Sequence, residues 1–234
     1  MTSLTHRHRN RRRAGPNPLA APLTLIGLGI VAAALYVGYV LWPHWPETPV
    51  VSRTPPLPIV VAGVDFNIEP AAIRQTIQRH AGTQTRVDLS YLWPSLTPPG
   101  PAPKADKAAA LDPAQRLFVT IQNGDASLPL AERVKQIYPR YLATAARAGP
   151  DGLTRRRFRD GTPYQGEELA FETNTPAHFL ARCSLQGVAD SGNCLLERRI
   201  GQADITFRFP RAWLNNWRGV GAGIDKLLAR LHPG

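Results

Sequence analysis

Apolar residues follow three patterns along this chain, and each predicts a different element. The first is an unbroken run, LTLIGLGIVAAALYVGYVLW, over residues 23–42 with no charged side chain. As a helix rising 1.5 Å per residue it reaches roughly 30 Å, the thickness of a hydrocarbon core. A cleaved signal peptide has an apolar stretch of only ~7–15 residues ahead of a small-residue cleavage site. Here the run leaves through Trp42-Pro43-His44-Trp45-Pro46. Tyr36, Tyr39, Trp42 and Trp45 gather near that exit, as interfacial aromatic residues do. The pattern predicts an uncleaved, single-pass transmembrane helix.

The second pattern is alternation. Val87, Leu89, Tyr91 and Trp93 alternate with Asp88 and Ser90, and Ile205, Phe207 and Phe209 alternate with Thr206 and Arg208. Both predict half-buried strands. Shorter strand candidates cover residues 59–64, 117–121, 153–158, 169–172, 179–184 and 195–199, with a hairpin turn at Ile200-Gly201-Gln202. The third pattern has helical spacing. Trp213, Leu214, Trp217, Val220, Ile224, Leu227, Leu228 and Leu231 predict an amphipathic C-terminal helix after Pro210. Pro70 opens a further predicted helix over 70–81, and 129–142 another, interrupted near Pro139. Residues 94–113 are rich in Pro, Ala and Lys and predict a loop.

Consecutive strands followed by a helix with one apolar stripe predict an α+β fold, an antiparallel sheet covered on one face by the C-terminal helix. With 234 residues there is room for one medium domain and its appendages. The expected organisation is a basic cytoplasmic tail at 1–22, the membrane helix at 23–42, a Pro-rich spacer at 43–58 and a periplasmic domain at 59–234.

Charge sets the direction. Five of the eleven net positive charges, Arg7, Arg9, Arg11, Arg12 and Arg13, precede the apolar run, and the next basic residue after it is Arg53. Positive residues stay in the cytoplasm, so the tail is expected there and the domain outside a bacterial inner membrane. That topological role accounts for the arginine run without a nucleic-acid partner. Gly29/Ala33 and Ala34/Gly38 have the small-xxx-small spacing at which two membrane helices approach closely, so a homodimer through the anchor is weighed. The two cysteines, Cys183 and Cys194, flank turn-forming residues. In an oxidising compartment an even count reads as a disulfide between neighbouring strands, ahead of a redox or nucleophilic thiol, which would want a CxxC spacing.

The chain resembles an uncharacterised family of membrane-anchored alphaproteobacterial proteins. The resemblance lies in Asn67-Ile68-Glu69-Pro70-Ala71-Ala72-Ile73-Arg74, Arg86-Val87-Asp88-Leu89, Leu92-Trp93-Pro94 and Ile137-Tyr138-Pro139. It continues in Gly149-Pro150-Asp151-Gly152-Leu153, Phe179-Leu180-Ala181-Arg182-Cys183, Phe207-Arg208-Phe209-Pro210-Arg211 and Trp217-Arg218. It implies location and fold, and no activity, ligand or catalytic residue.

Chemistry-bearing motifs are sparse. No nucleotide-binding loop, zinc-protease motif or nucleophile elbow is present, and the six histidines are scattered, so no catalytic residue, metal site or cofactor is expected. Glu167 and Glu168 are adjacent, which on a strand directs them to opposite faces. The most suggestive feature is basic: Arg156, Arg182, Arg198 and Arg208 fall in successive predicted strands and form the candidate face for an anion or an acidic partner. Against it stands pairing with Glu167, Glu168, Glu172 and Glu197, which would leave an ordinary solvated surface. The reading favoured is a non-enzymatic domain that binds a protein or other anionic component of the envelope. The alternative is a membrane-anchored envelope enzyme, such as a hydrolase, with a site assembled from dispersed residues.

Overall fold

The computed structural model describes residues 20–41, 55–100, 115–124, 128–176, 178–185 and 192–233. The basic tail, most of the expected spacer and most of the 94–113 insertion lie outside the described residues. The chain divides into two units, residues 1–48 and 49–234.

The first unit contains helix α1 (Ala20–Leu41), 22 residues with no charged side chain in either terminal turn. It begins three residues before the expected membrane helix and ends one before its limit. Among the side chains described there, Leu28, Ile30, Val31, Leu35, Tyr36, Val37 and Tyr39 are exposed. Side chains are described only for residues 27–37 and 39, fewer than a crossing needs, and among the described residues no helix is long and apolar enough to cross a membrane.

The second unit is built on two sheets. Strands β1 (Leu57–Val61), β2 (Val64–Ile68) and β3 (Gly82–Gln84) form the smaller, in the order β2-β1-β3. The β1–β2 turn is carried by Ala62 and Gly63, both at positive φ (52° and 76°), as a two-residue hairpin matched to strand twist requires. β1 incorporates Pro58, so the expected spacer ends inside a strand.

The larger sheet comprises β4 (Arg86–Leu92), β5 (Arg116–Asn123), β6 (Leu142–Ala148), β7 (Leu153–Phe158), β8 (Glu167–Glu172), β9 (Leu180–Ser184), β10 (Asn193–Ile200) and β11 (Ala203–Pro210). Their order is β4-β5-β11-β10-β9-β8-β7-β6, antiparallel throughout. Between β5 and β6 runs a helical stretch in three pieces: α2 (Leu130–Glu132), a π-helical turn (Arg133–Ile137) and α3 (Tyr138–Tyr141). The turn at Gly201, with φ 55°, joins β10 to β11 in the expected hairpin and sets Ile200 opposite Ala203.

Helix α4 (Trp217–Leu231) closes one face of the larger sheet. The Asn216 side chain caps it by accepting from the Gly219 N–H at 3.3 Å. Trp217, Val220, Gly221, Ile224, Leu227 and Leu231 form its buried stripe, as the periodicity predicts. All of these but Gly221 share one apolar cluster with Ile205, Phe207 and Phe209 of β11 and with Ile59, Val61, Phe66 and Ile68 of the small sheet. The Trp217 indole packs against Phe179 at 5.1 Å and donates to the Pro150 carbonyl at 3.2 Å, so its polar atom is satisfied while its ring is buried.

Two expectations are corrected. The sheet is not left bare on its second face: Tyr138, Phe158, Leu169 and Leu180 form a separate apolar cluster there with Leu130, Val134 and Ile137 of the helical stretch. Residues 70–81 do not form a helix. They form two single 3-10 turns, Pro70–Ala72 and Thr76–Gln78, because the segment is tied to β4 instead. Ile73 bridges Leu89, the Arg74 N–H donates to the Asp88 carbonyl at 2.9 Å, and Gln78 Oε1 accepts from the Asp88 N–H at 3.0 Å.

Candidate functional site

Directly opposed residues on neighbouring strands share a face. One such row crosses the larger sheet on the side away from α4: Phe118, Arg208, Leu195, Arg182, Leu169 and Arg156, on β5, β11, β10, β9, β8 and β7 in turn. Three candidate arginines therefore stand in one register, separated by apolar residues. At about 4.8 Å per strand, successive guanidinium stems are roughly 10 Å apart.

Arg198 is on the opposite side. It pairs with Ile205, a core position facing α4. Its guanidinium donates to the His178 carbonyl at 3.0 Å and lies 3.9 Å from Asp225 of α4, and burial pulls its pKa below the ordinary value. The period of two explains the split: Arg198 differs from Leu195 by an odd number of residues on β10.

Along the row, the β7–β9 end is closed. Arg182 donates to Glu167 at 2.7 Å and sits over the Tyr164 ring at 5.4 Å. Arg156 donates to the Ala143 carbonyl at 2.8 Å. Glu197, on the same face, is taken by Arg133 from the helical stretch. Burial opposes the Arg133 charge, but Glu197 outweighs it and holds the pKa above its usual value. Glu168 is 3% exposed on the α4 side, where Arg211 donates to it and Arg155 lies 3.9 Å away. Glu172 contacts the His178 ring at 3.0 Å. Every glutamate weighed as a partner in the sequence thus has one, but only Glu167 neutralises a candidate arginine.

The β5–β11 end is open. Arg208 is exposed, and its guanidinium lies 5.0 Å from the centroid of Phe118. Arg74 lies 4.9 Å from the same centroid. Among the described residues, neither arginine has a carboxylate partner. A half-buried aromatic ring flanked by two guanidiniums makes a rigid, strongly positive surface with donors in planar forks. Sequence reasoning missed Arg74, since its expected helix carried no register toward β5. The only signal was its place just ahead of the β4 alternation.

The comparisons bear on the scaffold. No protein-family model and no curated protein matches the sequence. The fold has a solved counterpart. An immunity protein of the Stenotrophomonas maltophilia type IV secretion system superposes with a TM-score of 0.52 at 13% identity, covering 75% of this chain and 92% of its own. The Neisseria meningitidis iron-regulated outer membrane lipoprotein FrpD aligns at a TM-score of 0.42 and 13% identity, over 76% of this chain and 95% of its own. The first likeness shows a shared fold; nothing further rests on the second.

Proposed function

We propose that this chain is a membrane-anchored, non-enzymatic binding protein whose extracytoplasmic domain holds an acidic protein partner on the Arg74–Phe118–Arg208 surface. The observation that carries this reading is the pair of guanidiniums at 4.9 and 5.0 Å from one ring, without a carboxylate among the described residues. Two guanidiniums gathered on one ring repel unless an anion joins them, and arginine forks suit carboxylates. The solved counterpart is an immunity protein, and binding rather than catalysis is in keeping with that fold.

Anchoring rests on α1 and its flanks. Its 22 residues measure roughly 33 Å as a helix, and the five preceding arginines orient the tail toward the cytoplasm. The disulfide between Cys183 and Cys194 supports a domain that matures in an oxidising compartment such as the periplasm. The test is titration of the full-length protein, held in zwitterionic nanodiscs, with poly-glutamate. Binding should weaken steeply with salt and fall sharply when Arg74→Glu and Arg208→Glu are combined. Equal binding by the double variant would sink the assignment.

A further inference from the structure

The larger sheet ends on β6, which pairs with β7 on one side and, among the described residues, with no strand on the other. Residues 144–148 of this edge strand are exposed, and its side chains are mostly small: Ala143, Ala145, Ala146 and Ala148. The Gly149 N–H donates to the Leu153 carbonyl at 2.7 Å, which fixes the phase of the ladder. Alternation then makes Arg147/Arg155 a hydrogen-bonded pair and turns the N–H and C=O groups of Ala146 and Ala148 outward, away from β7. Edge strands are ordinarily blunted by charged side chains, Pro, β-bulges or a covering element, and β6 carries two of these, Arg147 and a bulge. The bulge lies between Leu142 and Ala146, and beyond it Ala146, Arg147 and Ala148 pair with β7 in regular register.

The two strands at this edge are basic, and the acid closest in sequence, Asp151, lies in the turn between them. β6 and β7 together carry Arg147, Arg155, Arg156 and Arg157 and no carboxylate. Arg147 stands directly opposite Arg155, an arrangement that destabilises unless an acid interleaves. Glu168 of β8 is already engaged by Arg155 and Arg211. Arg157 stands opposite Glu168 on β8, whereas among the described residues Arg147 has no carboxylate partner.

We propose that β6 is a docking edge for an acidic, extended peptide segment of a partner protein, which adds to the sheet as a ninth strand. Its backbone pairs with the outward amides of Ala146 and Ala148. A Glu or Asp in register with Arg147 falls on the same face as Arg147 and Arg155 and neutralises that pair. The alanines let the incoming backbone approach without steric conflict. A second copy of this chain is the poorer occupant, because its own edge would bring the same arginines against these. This edge is separate from the Arg74–Phe118–Arg208 surface, at the other end of the sheet, and stands or falls independently of it.

The experiment uses the full-length chain in detergent micelles and three capped seven-residue peptides read by fluorescence anisotropy. One alternates valine with glutamate, one alternates valine with lysine, and one is the glutamate peptide with N-methylated backbone amides on its pairing edge. The glutamate peptide should bind, and the other two should bind at least tenfold more weakly. The series is run in the Arg74→Glu/Arg208→Glu background, so that the other arginine surface contributes nothing, and there Arg147→Glu should weaken the glutamate peptide by a similar factor. Ala146→Pro removes an outward N–H without touching the β6–β7 ladder and should abolish binding; the N-methylated peptide makes the same test on the unmutated edge. Equal affinity for the methylated and unmethylated glutamate peptides overturns the proposal, since charge alone would then suffice. So does a dimer in sedimentation that Ala146→Pro dissolves, since the edge would then belong to a second copy.

Discussion

Cys183 of β9 and Cys194 of β10 are direct cross-strand partners, joined by a disulfide with a Cα–Cα distance of 4.0 Å. This is closer than the usual 4.4–6.8 Å of disulfides and near the ~4.5 Å of a narrow antiparallel pair. Both residues are fully buried beside Leu196 and Ala181, so the crosslink closes the short loop between two central strands. Replacing both cysteines by alanine should lower stability by about 3 kcal/mol, read from urea unfolding midpoints. Protein extracted without reductant should resist thiol labelling until it is unfolded and reduced. Two freely reactive thiols in the native protein would remove the argument for an oxidising compartment.

Trp217 joins the core stripe of α4 to a polar anchor at the Pro150 carbonyl. Trp217→Ala should cost about 3–5 kcal/mol, because it empties a large buried volume. Trp217→Phe keeps the apolar contact with Phe179 but strands the carbonyl, and should cost about 1–3 kcal/mol. Thermal denaturation of the two variants separates packing from hydrogen bonding. Near-equal losses would show that the Pro150 contact contributes nothing.

Asp88 is buried on the face away from α4. Burial alone would raise its pKa, but hydrogen bonds from Arg86, Thr120 and Gln78 outweigh it and hold the carboxyl below its ordinary value. A depressed folded pKa contributes stability that is present above the unfolded value of about 3.9 and is lost as pH falls through the folded one. Asp88→Asn should therefore be the less stable protein at neutral pH, by about 1–3 kcal/mol. The gap should narrow steadily below about pH 4. A gap that is constant with pH would mean that the Asp88 charge contributes nothing to folding.

Where local periodicity and tertiary contact agree, the sequence was legible. β11 and the α4 stripe follow their patterns closely, because the Ile205–Phe207–Phe209 alternation and the Trp217–Ile224–Leu231 spacing each bury one face. The 70–81 segment was misread because glutamine side chains satisfy backbone groups there without a helix, Gln84 donating to the Gln78 and His80 carbonyls. β6 is not anticipated: the expected helix stops at residue 142 and 143–148 carry no assignment, since alanine has no periodicity of its own. The arginine row was half legible. Strand alternation assigns Arg156, Arg182 and Arg208 to a face only once the register is known, and the reach of Arg74 to Phe118 is a long-range contact with no local signature.

The orientation of the chain is checked by fusing a reporter that is active only outside the cytoplasm after Gly234. The arginine run before α1 predicts activity. Replacing Arg9, Arg11, Arg12 and Arg13 by alanine should reduce it, by weakening the charge bias. A reporter silent after Gly234, with a cytoplasmic reporter active there instead, would place the domain on the wrong side of the membrane.

The most direct test of the account places a photo-crosslinking residue at Thr206, on the same face as Arg208 and two residues from it. Irradiation of intact cells making the full-length chain should give a discrete adduct with an acidic extracytoplasmic protein. Arg74→Glu combined with Arg208→Glu should remove that adduct while thermal stability stays within about 1 kcal/mol, since exposed charges contribute little to folding. An adduct that survives the double reversal, or one formed only with cytoplasmic proteins, would contradict the assignment of this surface as an extracytoplasmic binding face.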